Sequence, residues 1–241
     1  MDIAAKATPD GYTLLAVSAS AVLNAALVNK TAYDQRKAFA PITQLTSQPY
    51  LLAVYAQVPA QSVKELVALA KAKPGALNFG SAGNGSMSHL GGEMFNMLAG
   101  VDVAHIPYKG TGPAITDLLG GQVQMLFAGG ISITPQVKSG RLRVLAHSGA
   151  ARTRLLPNVP TVAESGVPGF ELNGWYGWLA PSGTPASIVQ ALNREVVQIL
   201  QSPEMIEKFA SDGRNPRPAC PNNCAIFTIA TSKNGPNCSR G

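Results

Sequence analysis

Residues 77–95 read LNFGSAGNGSMSHLGGEMF. A short apolar run breaks into glycines and serines and then recovers helical spacing, which predicts a strand over Leu77–Gly80, a tight turn, and a helix over Ser86–Ala99. Ser86 stands where a helix cap belongs. A strand that enters Gly80-Ser81-Ala82-Gly83-Asn84-Gly85 and leaves through such a helix is expected to aim several unpaired N–H groups at one small volume. Oriented donors and the helix dipole attract an anion there, worth roughly 0.3–1 kcal/mol when exposed and about 2 when partly buried. The chemistry favoured is a carboxylate or a phosphate, and a tight turn with no ligand is the alternative on these residues alone.

Working outward, the same alternation recurs. Strands are predicted at Tyr12–Val17, Leu51–Tyr55, Val101–Ile106, Gln122–Ala128 and Leu142–Ala146, with helices near Pro113–Leu119 and Ser132–Lys138. Strands alternating with helices imply an α/β fold with parallel pairing through right-handed crossovers. Ser62-Val63-Lys64-Glu65 has capping-box form, and Val63, Leu66, Val67 and Ala70 share the apolar face of the helix it opens. Thr184-Pro185 reads as cap and first residue of a helix that turns Ile188, Val189, Leu192, Val196 and Leu200 inward. Trp175, Tyr176 and Trp178 are expected to pack between domains.

The 241 residues are 46% hydrophobic and 13% charged, a globular composition. No apolar run approaches the roughly 20 residues that span a bilayer. Met1 is followed by Asp2 rather than a basic and apolar leader, so the sequence as written predicts no export signal. The net charge of +6 is concentrated beyond Gly213, where Arg214, Arg217, Lys233 and Arg240 have no acidic neighbour. The remaining body is nearly neutral, which argues against nucleic acid as a partner. Cys220, Cys224 and Cys238 also lie in the tail, at spacings that match no usual zinc site, so neither a metal nor a cofactor is expected.

Enzymatic readings fit poorly. There is no G-x-x-x-x-G-K-[ST], Gly83-x-Gly85-x-x-Ser88 lacks the third glycine of a dinucleotide turn, and Gly-x-Ser-x-Gly is absent. Ser86 and His89 lie three apart on one helix, and His105 and His147 are the other available bases. No catalytic residue is assigned. Tyr108-Lys109-Gly110 is a second turn after a strand, where Lys109 is placed to attract an anion.

Taken in order, PDGYTLL, FAPI at Phe39–Ile42, ELVALAKAKPGALNFGSAGNGSMSHL, HIPYKG, DLLGGQV, LPNVPTVAESGVPGFE and W-x-G followed by APSGTP resemble the Bug family, the TctC-like periplasmic receptors of tripartite tricarboxylate transporters. The resemblance runs from about Ala5 to Gly213. It implies a two-domain periplasmic-binding-protein type II-like (Venus flytrap) fold with parallel or mixed sheets. Domain 1 would comprise residues 1–48 and 170–241, and domain 2 residues 49–169. The implied function is binding of a small carboxylate (a di- or tricarboxylate, an amino acid or an aromatic acid) for uptake. The implied partners are the membrane subunits of the transporter, and the receptor itself would be a monomer. Carried over position by position, the implied ligand contacts are Ser81, Ala82, Gly83, Asn84, Gly85, Ser86 and His89, and from the other domain Ser18, Ala19 and Ser20; the Tyr108-Lys109-Gly110 turn, read from its own residues, adds Lys109 and Gly110 as candidates. The second reading is a carboxylate sensor acting through a signalling partner, and a small-molecule hydrolase is a distant third.

Three departures accompany the resemblance. Family members begin with a signal peptide and a first βαβ unit with a glycine-rich loop, whereas Met1 here stands just before PDGYTLL. Domain 1 is therefore expected to be incomplete and binding impaired in this copy. The segment after about Cys220 departs altogether, and reading its possible codons one base out of frame permits an amphipathic helix, so a frameshift near Pro218–Pro221 is expected. Ala128 stands where the family often has an aspartate.

Overall fold

The computed structural model describes residues 1–28, 35–152, 157–211 and 215–218. The elements in order are α1 (Asp2–Ala5), β1 (Leu15–Ser18), α2 (Ala19–Val28), α3 (Gln35–Ala38), β2 (Phe39–Tyr55), α4 (Val63–Ala72), β3 (Asn78–Ser81), α5 (Met87–Ala99) and β4 (Ala104–Pro107). They continue with α6 (Thr111–Leu119), β5 (Met125–Gly129), α7 (Gly130–Lys138), β6 (Leu142–His147), β7 (Asn173–Pro181), α8 (Ala186–Leu200), α9 (Pro203–Ser211) and β8 (Asn215–Pro216). The three cysteines and the expected frameshifted segment lie outside the described residues. By its internal contacts the chain divides into two compact units, Met1–Ser47 with Trp175–Gly241, and Gln48–Gly174.

In the first unit β1 runs antiparallel to β7, with Leu15 opposite Leu179 and Ser18 opposite Tyr176, and β7 neighbours β2. The first strand begins at Leu15 rather than Tyr12, because Tyr12 is 94% exposed and its N–H donates to Asp10 Oδ1. Val17, Phe39 and Leu179 form one apolar cluster with Trp175 against it, and Ile42, Ala180 and Val189 form another with Trp178. Both indoles pack against apolar clusters of this unit. Pro185 immediately precedes α8, and Thr184 does not cap it: its hydroxyl donates to the Pro181 carbonyl at 2.8 Å. Val189, Val196 and Leu200 are the residues that α8 buries.

In the second unit the strands lie in the order β6-β2-β5-β3-β4. β3 is parallel to both β4 and β5, but β2 is antiparallel to β5 and to β6. The sheet is mixed rather than all-parallel, since β2 inserts between β5 and β6, two strands that run the same way and are joined through α7. The alternation of β5 divides the core. Leu126 and Ala128 pack with Ala114, Leu118 and Ile133 of α6 and α7. Phe127 faces the other way, against Phe95 of α5 and stacked on Phe170 at 5.2 Å. Helices thus cover both faces.

Local signals explain the elements. Ser62 Oγ accepts the Glu65 N–H at 3.2 Å, and the Glu65 carboxylate reaches back one residue further than a standard box, to the Gln61 N–H at 2.8 Å. Val63, Leu66 and Ala70 are buried beneath. Gly91 and Gly92 let α5 lie flat on the sheet: a Cβ at Gly92 would come within 2.1 Å of the Phe79 ring. α5 stops at Gly100, left-handed at φ 62°.

Candidate functional site

Because β3, β4 and β5 are mutually aligned, their carboxyl ends share one edge of the sheet, and α5, α6 and α7 each start there. This is where open α/β sheets hold ligands. The three helix starts differ in how they are closed.

The α5 start is closed by its own chain. Ser86 is the cap, accepting the His89 N–H at 3.2 Å, and its hydroxyl lies 3.0 Å from that of Ser88. The Ala82 N–H donates to Ser88 Oγ at 2.9 Å, the Gly83 N–H to Ser81 Oγ at 3.1 Å, the Gly85 N–H to His89 Nδ1 at 3.1 Å and the Ser86 N–H to the Gly83 carbonyl at 3.1 Å. Four donors expected to be unpaired are therefore engaged. Side chains before and after the turn fold back onto it, helped by the positive φ of Gly83 (119°) and Gly85 (74°). What the turn offers outward is the half-buried Ser86 and His89 and the exposed Asn84.

Beneath it lies a polar stack that the sequence did not reveal. Phe79 and His105 are in-register neighbours on β3 and β4, with ring centroids 4.8 Å apart, and His105 stacks in turn on His89 at 4.1 Å. Ser81, fully buried, places Oγ 2.6 Å from His105 Nε2. That oxygen accepts the Gly83 N–H and keeps both its proton and a second lone pair, so either Ser81 or the imidazole can donate, according to the tautomer. Burial and the neighbouring His89 hold the His105 pKa down at about 4, so the ring is neutral and able to accept. The signal for this stack was register alone: only strand pairing brings His105 beside Phe79.

His89, Glu93 and His105 also bring ligand atoms within 4.8 Å of one another. The donor set suits a metal poorly. His89 Nδ1 accepts a backbone N–H, so the ring proton sits on Nε2, the nitrogen that faces Glu93 at 3.7 Å. A cation there would have to displace the Gly85 contact.

The α6 start is open. Gly110 precedes it at φ 119° with no side-chain cap, and a Cβ at Gly110 or at the exposed Gly112 would meet nothing within 4 Å. The Tyr108 N–H donates to the Ser81 carbonyl at 3.1 Å, tying this turn to the first. The Tyr108 hydroxyl donates to Asp117 Oδ2 at 2.7 Å, and burial with that carboxylate pushes the phenol up to about 12. Lys109 is exposed beside it. The α7 start, after Gly129, also lacks a side-chain cap. Thr111, Gly112, Gly129 and Gly130 are thus functional candidates that the sequence reading passed over, and the glycine just before each helix was the available signal.

Of the other residues singled out, Ser18, Ala19 and Ser20 belong to the first unit, at the junction of β1 and α2. Ser18 Oγ accepts the Ala21 N–H at 3.3 Å, as a cap does. Ala128 is buried in β5 opposite Leu51. Among the described residues no helix is long and apolar enough to cross a membrane.

Comparison with known proteins agrees with this architecture. The family model described as the tripartite tricarboxylate transporter family receptor matches residues 1–234. The chain is 37% identical over 228 residues to Protein BugT of Bordetella pertussis, covering 94% of this chain and 70% of that protein. It is 35% identical to the UPF0065 protein in the tcbD-tcbE intergenic region of Pseudomonas sp. strain P51, covering 88% of this chain and 63% of that one. Among solved structures, R. palustris Rpa4515 with adipate superposes with a TM-score of 0.85 at 34% identity, over 91% of this chain and 74% of that one. MatC from Rhodopseudomonas palustris with bound malate gives 0.79 at 33%, over 94% and 77%. The chain thus spans between three-fifths and four-fifths of the length of these proteins. It belongs to the tripartite tricarboxylate transporter receptor family, whose members are periplasmic solute receptors.

Proposed function

We propose that this chain binds a small carboxylate as a non-enzymatic solute receptor, presenting it to the membrane subunits of a tripartite transporter. The observation that carries the reading is the set of three helix starts along one sheet edge, two of them without a side-chain cap and one beside Lys109. First-turn N–H groups lack partners within their own helix and favour negative charge. In this reading a carboxylate sits at Gly110-Thr111-Gly112 with Lys109 near it. The Ser81–Ser86 turn contributes Ser86, Asn84 and His89 as contacts and holds its backbone donors in reserve. Adipate in one relative and malate in another favour a dicarboxylate.

Calorimetry against di- and tricarboxylates, amino acids, aromatic acids and the diamides of the same dicarboxylates tests this. Heat confined to the carboxylates is expected. Equal response to a diamide would overturn the reading, because an uncharged amide gains little from an oriented-donor site.

A further inference from the structure

The Ser81–Ser86 turn also contains the sequence most prone to self-modification, an asparagine followed by glycine. We propose that Asn84-Gly85 is a spontaneous succinimide site at which His89 serves as the local base, converting Asn84 to aspartate or isoaspartate. Three observations meet there. Asn84 is exposed, so water reaches its amide. Gly85 has no Cβ to obstruct ring closure and holds a positive φ of 74°. Its N–H, the nucleophile of the reaction, already donates to the lone pair of His89 Nδ1 at 3.1 Å.

The chemistry balances with water as the only co-reactant. The Gly85 nitrogen attacks Asn84 Cγ as His89 Nδ1 takes its proton. The Cγ–Nδ2 bond then breaks, and the proton passes to the departing amine, which leaves as ammonia. Water opens the resulting five-membered ring at either carbonyl, giving aspartate or isoaspartate with a mass gain of one dalton. A hydrogen-bonded base removes the proton whose loss limits the attack, which is the role of general-base catalysis. The new carboxylate stands two residues before the α5 cap, where the helix dipole favours it.

The molecule supplies its own control. Asn173-Gly174 has the same dipeptide, but it begins β7, where Gly174 is buried against Tyr50. Ring closure there requires the strand end to open first.

The test is incubation of the intact chain at neutral pH, with peptide mapping by mass spectrometry and enzymatic detection of isoaspartate, against the same chain held unfolded in urea. Asn84 is expected to react in the folded chain about as fast as in the unfolded one, while Asn173 slows by about tenfold or more, since it reacts only through local opening. His89→Gln, which keeps an acceptor but no base, is expected to slow Asn84 by about tenfold, below the usual range for a positioned base because the amide is so weak an acid. Protection of Asn84 equal to that of Asn173, or an unchanged or faster rate in His89→Gln, overturns the proposal. A consequence rests on the receptor reading: the added charge would weaken carboxylate binding. The mass measurement does not depend on it, so the two ideas fail separately.

Discussion

Ser81 Oγ and His105 Nε2 lie 2.6 Å apart, joining the end of β3 to β4 beneath the turn that carries Asn84 and Ser86. Burial of the His105 ring at this contact, with His89 beside it, makes the fold sensitive to acid. The His105 pKa stands at about 4 in the fold and returns to 6.5 when the chain unfolds. Between those values the unfolded chain binds a proton that the folded chain does not. The contribution is therefore complete above about 6.5 and is lost as pH falls towards 4. His147, lowered mainly by burial with Arg152 acting the same way and Glu164 opposing, adds loss in the same direction. The melting temperature is expected to fall across this window, less steeply in His105→Asn. An unchanged slope in that variant would contradict the assignment.

Gly92 is set by contact rather than by backbone freedom. Its absent Cβ would lie 2.1 Å from the fully buried Phe79 ring. Gly92→Ala is expected to cost about 1–3 kcal/mol, the range for overpacking a filled core, read by denaturant unfolding.

Ser148, just after β6, joins Tyr50 within β2 to Leu172, the residue before β7. Its oxygen accepts the Tyr50 N–H at 2.7 Å and its proton goes to the Leu172 carbonyl. Ser148→Ala strands both groups, and a loss of about 1–3 kcal/mol is expected. Ser62→Ala, which removes only the cap of α4, should cost about 1 kcal/mol. A ranking of the two variants reversed by denaturant titration would mean that burial around Ser148 has been overstated.

These residues also mark what the sequence could and could not disclose. The strand, turn and helix of residues 77–95 were legible because period and composition change together there, and the cap at Ser86 follows from residue type. The state of the turn donors was not, since it depends on Ser81, Ser88 and His89 folding back, and spacing says nothing of rotamers. Nor was the antiparallel entry of β2 legible. Alternating strands and helices specify how successive strands run but not what inserts between them. Tyr12 and Leu14 read as strand by apolar type, yet only from Leu15 onward does β7 provide a partner. His105 looked like a lone base until register set it between Phe79 and His89.

The central claim, that a carboxylate is held at the open start of α6, is tested most directly by an amide NMR titration with adipate and with malate, comparing the chain with Gly112→Asp. The exposed Gly112 has open space for a side chain, and an acidic residue in a first helical turn is favourable by roughly 0.3–1 kcal/mol, so the variant should fold at least as stably. The expected result is saturable shifts at Lys109–Ala114 and Ser81–His89 in the parent, abolished in Gly112→Asp. Shifts that persist in the variant, or that avoid both segments in the parent, would contradict the account.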